Sequence, residues 1–111
     1  MAIGWKGRYY GFTKVVADYT TPQTNAVLVA ATGVGKYIEV AYLEYSSDTL
    51  GQFQLKSDGT DKISCTKYLP AFSGVCIDDA NYHCENNAAL TFTSNITGNH
   101  SIMVYYYVRQ G

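Results

Sequence analysis

The sequence predicts an all-β fold, an antiparallel β-sandwich or a small barrel, and three observations carry that expectation. Apolar residues recur at every second position in several segments, the period of a strand with one face in a core. Clusters of Gly, Ser, Thr, Asp and Asn separate those segments, and such residues tolerate positive φ or bond their own backbone. No long window shows apolar positions at the i, i+3, i+4, i+7 spacing of a surface helix.

The chain opens on Gly4, Gly7 and Gly11 interrupting Trp5, Tyr9, Tyr10 and Phe12. Thr13 to Ala17 can form one strand, and Thr20-Thr21-Pro22-Gln23 reads as a linker. Residues 1–24 are therefore expected to form an N-terminal arm and linker, and residues 25–111 a β-sandwich body. Tyr37 to Tyr45 is apolar on both faces, with Ile38, Val40 and Tyr42 opposed by Ala41, Leu43 and Tyr45. Such a strand is expected to be covered on both sides. Phe53 and Leu55 alternate with Gln52, Gln54 and Lys56, and Leu90 and Phe92 alternate with Thr91 and Thr93. In the last segment Ile102, Val104, Tyr106 and Val108 form one face, and Ser101, Met103, Tyr105, Tyr107 and Arg109 the other. Turns are expected at Thr32-Gly33-Val34-Gly35, Ser46-Ser47-Asp48, Ser57-Asp58-Gly59-Thr60 and Thr97-Gly98-Asn99.

Composition narrows the function classes. A length of 111 residues fits one domain. Hydrophobic residues make up 47% and charged residues 15%, which argues against disorder and suggests that part of the surface is covered by something other than water. A formal net charge of -1 makes the whole domain a poor nucleic-acid binder. The longest apolar run, Ala26 to Ala31, is far too short to span a bilayer. No secretory signal pattern precedes Pro22, so synthesis in a cytoplasm is expected.

Chemistry-bearing motifs are sparse. Residues 30–37, Ala-Ala-Thr-Gly-Val-Gly-Lys-Tyr, lack the first glycine and the Ser or Thr after lysine that a phosphate-binding loop needs, and read as a hairpin turn. Asp78, Asp79, His83 and Cys84, near Cys76, show neither zinc nor calcium spacing; a polar loop with its cysteines tucked inward is expected. Cys65, Cys76 and Cys84 have no CxxC spacing and read as small buried hydrophobes, with a Cys76–Cys84 bridge as the alternative. His83 and His100 stand beside no strained nucleophile turn. Asn95-Ile96-Thr97 and Asn99-His100-Ser101 fit the glycosylation sequon but gain little meaning without a secretory signal. Neither an enzyme nor a cofactor is expected.

The basic, aromatic N-terminal stretch, with Trp5, Lys6, Arg8, Tyr9, Tyr10 and Phe12, reads either as a solvated tail or as a docking arm. The 11 tyrosines are the unusual feature of the chain. In Tyr105-Tyr106-Tyr107 the strand period sends Tyr106 inward and Tyr105 and Tyr107 outward. Outward tyrosines can be plain strand residues or a binding face, and the low charge content favours a face.

Residues 28–31, Leu-Val-Ala-Ala, lead through the glycine turn to residues 36–40, Lys-Tyr-Ile-Glu-Val. A Phe-x-Leu strand follows, then Tyr68-Leu69-Pro70-Ala71, Gly74-Val75, Glu85-Asn86-Asn87-Ala88-Ala89-Leu90-Thr91-Phe92 and a closing Tyr105-Tyr106-Tyr107-Val108. This order resembles small jelly-roll proteins of tailed-bacteriophage particles, the capsid cement or decoration proteins and related fibre domains. The chain departs from them in the cysteine within residues 62–67 and in lacking a Pro-Trp-Phe-like stretch in residues 78–84. The resemblance implies a jelly-roll sandwich that binds a major capsid protein as a homotrimer on the virion surface, with no nucleic acid or membrane partner. Trp5, Lys6, Arg8, Tyr9, Tyr10, Phe12, Tyr105 and Tyr107 are then the expected interface. The alternative is a receptor- or glycan-binding module of a fibre or spike; against it, the single tryptophan, Trp5, lies in the arm and not on a loop platform. A free cytoplasmic β-domain is the third reading.

Overall fold

The structure, a computed structural model, describes residues 11–64 and 66–110. Among the described residues nine strands succeed one another: β1 Thr13–Tyr19, β2 Gln23–Val29, β3 Lys36–Ser47, β4 Gly51–Ser57, β5 Asp61–Lys62, β6 Lys67–Leu69, β7 Ser73–His83, β8 Leu90–Ser94 and β9 His100–Gln110. They form two antiparallel sheets. Sheet A runs β1-β9-β3-β7, and sheet B runs β2-β8-β4-β5, with β6 also pairing β4. Along the main strands the chain passes from one sheet to the other, and the last two strands each insert beside the first ones. That strand order is a jelly roll, as the resemblance implied.

Period-two patterning explains why the layers close. Phe53 and Leu55 from β4, Leu90 and Phe92 from β8, and Ile102 and Val104 from β9 are all at most 1% exposed and form one core. Tyr45 is wedged into its centre, stacked on Phe53 with ring centroids 3.8 Å apart. Burial of each such side chain contributes about 1.5–3 kcal/mol. On the outer face of sheet B, Gln52, Lys56 and Thr93 are polar, as the alternation predicts. The β4–β5 hairpin follows its turn chemistry. Asp58 and Gly59 both hold positive φ, 55° and 77°, and Thr60 N donates to Ser57 O at 3.1 Å, the mirror-image turn that matches strand twist.

Two expectations need correction. Ile38, Val40 and Tyr42 do not share a face, because the register of β3 with both β7 and β9 shifts between Val40 and Tyr42. Ala41 is the extra residue of a bulge. Ile38, Val40, Leu43 and Tyr45 all reach the core, while Tyr42 turns to the outer face and packs with Tyr105. The division of the chain after Thr24 falls inside β2, and β1 pairs β9 over its full length from Thr13 to Tyr19. Residues 13–24 are therefore part of the sandwich.

Candidate functional site

At one end of sheet A, a row of paired residues faces outward across all four strands: Asp18 opposite Ser101, Ser101 opposite Ser46, and Ser46 opposite Gly74. Only short side chains stand there, so the row is low and polar. Three turns from distant parts of the sequence rise around it. The turn after β3 brings Asp48, the turn before β7 brings Phe72 and Ser73, and the turn before β9 brings Asn99. Together with Ser47 and His100 they enclose a shallow groove of about 610 Å³.

Phe72 is the unusual wall residue. It is 86% exposed and holds φ at 55°, a left-handed conformation that costs a bulky L-residue about 1–2 kcal/mol. Pro70 leads into the turn, and Ser73 Oγ closes it by donating to Pro70 O at 2.6 Å. An apolar ring is thus held in water, in a strained conformation, at the rim of a polar groove. Strain of that kind collects at ligand sites.

The opposite wall is a fused pair of turns. Asp48 N donates to Asn99 O at 3.0 Å. The Asp48 carboxylate accepts from Thr49 Oγ1 at 2.7 Å and from Asn99 Nδ2 at 3.1 Å. Gly98 makes this approach feasible: a Cβ there would sit 1.9 Å from Thr49 Oγ1 and 2.4 Å from Asp48 Oδ1. The Asp18 carboxylate is anchored by a hydrogen bond from Ser101 Oγ.

His100 forms the buried edge of the groove. Its Nδ1 lies 2.9 Å from Gly98 O, an acceptor, so Nδ1 carries a proton. Its Nε2 lies 2.9 Å from Ser94 Oγ. A serine beside a histidine invites a nucleophile–base reading, but the geometry is that of a strut. His100 is 3% exposed, Ser94 is buried with it, and Ser94 Oγ also accepts from Gln23 N at 3.3 Å. Tyr19, Tyr45 and Phe92 surround the imidazole. No carboxylate orients the ring, and the buried hydroxyl offers no path to a substrate.

Of the residues expected at an interface, Trp5, Lys6, Arg8, Tyr9 and Tyr10 lie outside the described residues. The other three meet on the outer face of sheet A, beyond the groove. Phe12 packs edge-on against Tyr107 with centroids 4.9 Å apart, and Arg109 lies over the Tyr107 ring at 4.7 Å. Arg109 also binds the Glu39 carboxylate. Tyr105 is outward-facing yet 8% exposed, packed with Tyr42, Phe12 and Met103. Tyr106 faces the core, as its position predicts. Cys76 is exposed and 3.8 Å from the Glu44 carboxylate, whereas Cys84 is buried; both thiols are free. The expectation that these cysteines turn inward together therefore fails for Cys76, which stands opposite Glu44 on the outer face. Among the described residues, no group of three or more His, Cys, Asp or Glu side chains is placed to hold a metal ion. Residues 33–36 form a turn, braced by Asn87 Oδ1 on Gly33 N and Asn86 Oδ1 on Gly35 N, but it links β2 of sheet B to β3 of sheet A and is not the hairpin the sequence predicts, because β2 pairs β8 and β3 pairs β7 and β9.

Sequence reasoning did not single out Phe72, and it placed Asp48 and Asn99 in turns, with Asn99 also in a sequon, without assigning either to a binding site. The available signal was a large aromatic set in a Pro-x-Phe-Ser-Gly turn, where small polar residues are usual.

The fold and the groove define a jelly-roll sandwich with a polar cleft at its loop end. No protein-family model matches the chain, and no curated protein matches it. Among solved structures it is similar to the EclA C-terminal domain, a sugar-binding protein, with 16% identity over 87% of this chain and 79% of that one, and a TM-score of 0.45. It is also similar to the Clostridium thermocellum xylanase 10B CBM22-1–GH10 modules complexed with xylohexaose, with 13% identity over 92% of this chain and 26% of that one, and a TM-score of 0.37. At these identities and scores neither assigns a ligand to this chain.

Proposed function

We propose that the chain is a glycan-binding module that acts by binding and not by catalysis, with its site in the groove between Phe72 and Asp48. The observation that carries this reading is Phe72 itself, an exposed ring held in a left-handed turn above a floor of hydroxyls and carboxylates. A sugar ring has one face of C–H bonds and a rim of hydroxyls. An aromatic platform covers the first, and a few fixed polar groups bond the second. The floor row Asp18, Ser101, Ser46 and Gly74 lies on paired strands, which hold polar groups more firmly than loops do. The loop platform that Trp5 could not supply is thus supplied by Phe72.

Binding to an array of immobilised bacterial, plant and animal glycans tests the reading. Saturable binding to a defined group of glycans, weakened when free sugar competes, is expected. Silence across the array would remove it.

A second reading is favoured by one observation, the aromatic cluster of Phe12, Tyr42, Tyr105 and Tyr107 on the outer face of sheet A. In that reading the chain is a virion structural protein, docked on a shell through this face and residues 1–24. Co-sedimentation with phage shells, unaffected by Phe72→Gly, is its expected signature.

A further inference from the structure

The hydrogen-bond inventory of the groove is lopsided. A serine hydroxyl has one hydrogen to give, and most of the groove's serines have given it already. Ser47 Oγ donates to Thr49 O at 2.7 Å, Ser73 Oγ donates to Pro70 O at 2.6 Å, and Ser101 Oγ donates to Asp18 Oδ1. Both ring nitrogens of His100 are engaged with Gly98 O and Ser94 Oγ. What these groups still offer a ligand is lone pairs.

One carboxylate that lines the groove, Asp48, and a second beside it, Asp18, held by the groove's Ser101, add to that surplus. An ionised carboxylate only accepts, at about four sites. The bonds described for Asp48 are two, from Thr49 and Asn99, and for Asp18 one, from Ser101. The remaining side-chain donors are the Ser46 hydroxyl and the second amide hydrogen of Asn99. No lysine or arginine is among the described residues that line the groove. A chain of formal net charge -1 is nearly neutral as a whole, so this excess of acceptors and negative charge is a local property of the site.

Resting on the glycan reading of the groove, we infer that it selects sugars by charge: amine-bearing sugars first, neutral sugars next, and carboxylated or sulfated sugars last. A sugar hydroxyl can donate into the lone pairs of Asp18, Asp48 and the serines. An ammonium on the sugar makes charge-assisted bonds to the same carboxylates, which are shorter and stronger than neutral ones. A uronate or sulfate is itself acceptor-only. It finds few side-chain donors and confronts the like charge of Asp48 in the groove, with that of Asp18 beside it. Discrimination here comes from what the site repels as much as from what it holds.

Calorimetric titration with oligosaccharides matched in length tests the ranking. The probes are neutral gluco-, manno- and xylo-oligomers, a glucosamine oligomer and a galacturonate oligomer, each at low and at high salt. The expected result is galacturonate binding at least about tenfold weaker than the best neutral oligomer. Glucosamine is expected to bind about tenfold more tightly than that oligomer at low salt, an advantage that shrinks severalfold as the Debye length falls. Asp48→Asn and, separately, Asp18→Asn are expected to compress the spread between the charged probes. Each variant keeps one oxygen for the Thr49 or Ser101 hydroxyl, Asp48→Asn giving up the bond from Asn99 Nδ2, and a thermal scan of each confirms the fold. Galacturonate binding as tightly as the neutral oligomers, or an unchanged spread in both variants, overturns the charge selection and leaves the glycan site standing. No binding by any of the three classes overturns the glycan site and this inference with it.

Discussion

Replacing Phe72 with glycine separates a binding residue from a structural one, because the two roles predict opposite outcomes. Phe72 is 86% exposed, so about one-seventh of a ring surface of roughly 200 Å² is in contact with the protein. Losing those roughly 30 Å² costs about 0.7 kcal/mol at 25 cal/mol per Å². Glycine also has more freedom to lose on folding, about 0.5–1 kcal/mol. Against these stands relief of the left-handed conformation at φ 55°, worth about 1–2 kcal/mol. The terms sum to within about 1 kcal/mol of zero. A thermal scan should therefore place Tm within about 6 °C of the parent, at roughly 4–8 °C per kcal/mol for a domain of this size. Binding should behave otherwise. An aromatic stacking contact is worth about 1–2 kcal/mol, so affinity for the best glycan falls about 5- to 30-fold. Phe72→Tyr keeps the platform and should keep the affinity. A Tm drop beyond about 10 °C, or undiminished binding by Phe72→Gly, would refute the assignment.

Three other outcomes are expected. Gly98→Ala forces a Cβ to within 1.9 Å of Thr49 Oγ1 and 2.4 Å of Asp48 Oδ1; it should weaken glycan binding about tenfold by moving the Asp48 carboxylate, with a charge-assisted bond of about 1.5 kcal/mol at stake, and calorimetric titration beside the parent reads the effect. Tyr45→Phe should raise stability by about 1 kcal/mol in denaturant unfolding, because Tyr45 Oη is buried without a hydrogen-bond partner and deleting such a hydroxyl removes a desolvation cost. Burial pushes the Cys84 thiol up from 9.0 to about 11, so the folded state favours the protonated form; its contribution is intact below pH 9 and is lost as pH rises through 11, about 3 kcal/mol in all. Cys84→Ala should flatten that alkaline loss, and an alkylating reagent at neutral pH should label Cys76 well before Cys84, as peptide mass mapping would show.

The sandwich was largely legible because its signals are local. Phe53-x-Leu55 and Leu90-x-Phe92 declare one inward face each, and Asp58-Gly59 declares its hairpin. Those elements need only the period of the strand and the chemistry of the turn. Where the structure departs from the reading, a non-local cause is at work. The bulge at Ala41 flips the parity of β3; Glu39 and Glu44, an odd number of residues apart yet both on the outer face, reflect that flip without marking which residue between them is the extra one. The expected cover on both sides holds only in part: Leu43 and Tyr45 join Ile38 and Val40 in the core, whereas the outer face buries Tyr42 among neighbouring side chains and leaves Glu44 exposed. Likewise β1 is held by its pairing with β9, at the far end of the chain, which a division based on nearby turn residues does not register.

The groove was illegible for the same reason, carried further. Its floor is a single row, Asp18, Ser101, Ser46 and Gly74, drawn from four strands that no local pattern connects. Each of these residues looks like ordinary turn or strand-end polarity when read alone. Their meaning comes from the jelly-roll order, which inserts β9 between β1 and β3 and so places Ser101 beside both Asp18 and Ser46. The same insertion sets the turn before β9 against the turn after β3, and Gly98 lets them fuse. A fold that exists to seal a core of Tyr45, Phe53 and Phe92 thereby leaves, at its loop end, a rigid polar floor with walls free to vary. Phe72 is the one wall residue that works against local backbone preference. Strain without a packing reward, at the rim of a preformed polar floor, is what separates a binding platform from an incidental exposed ring.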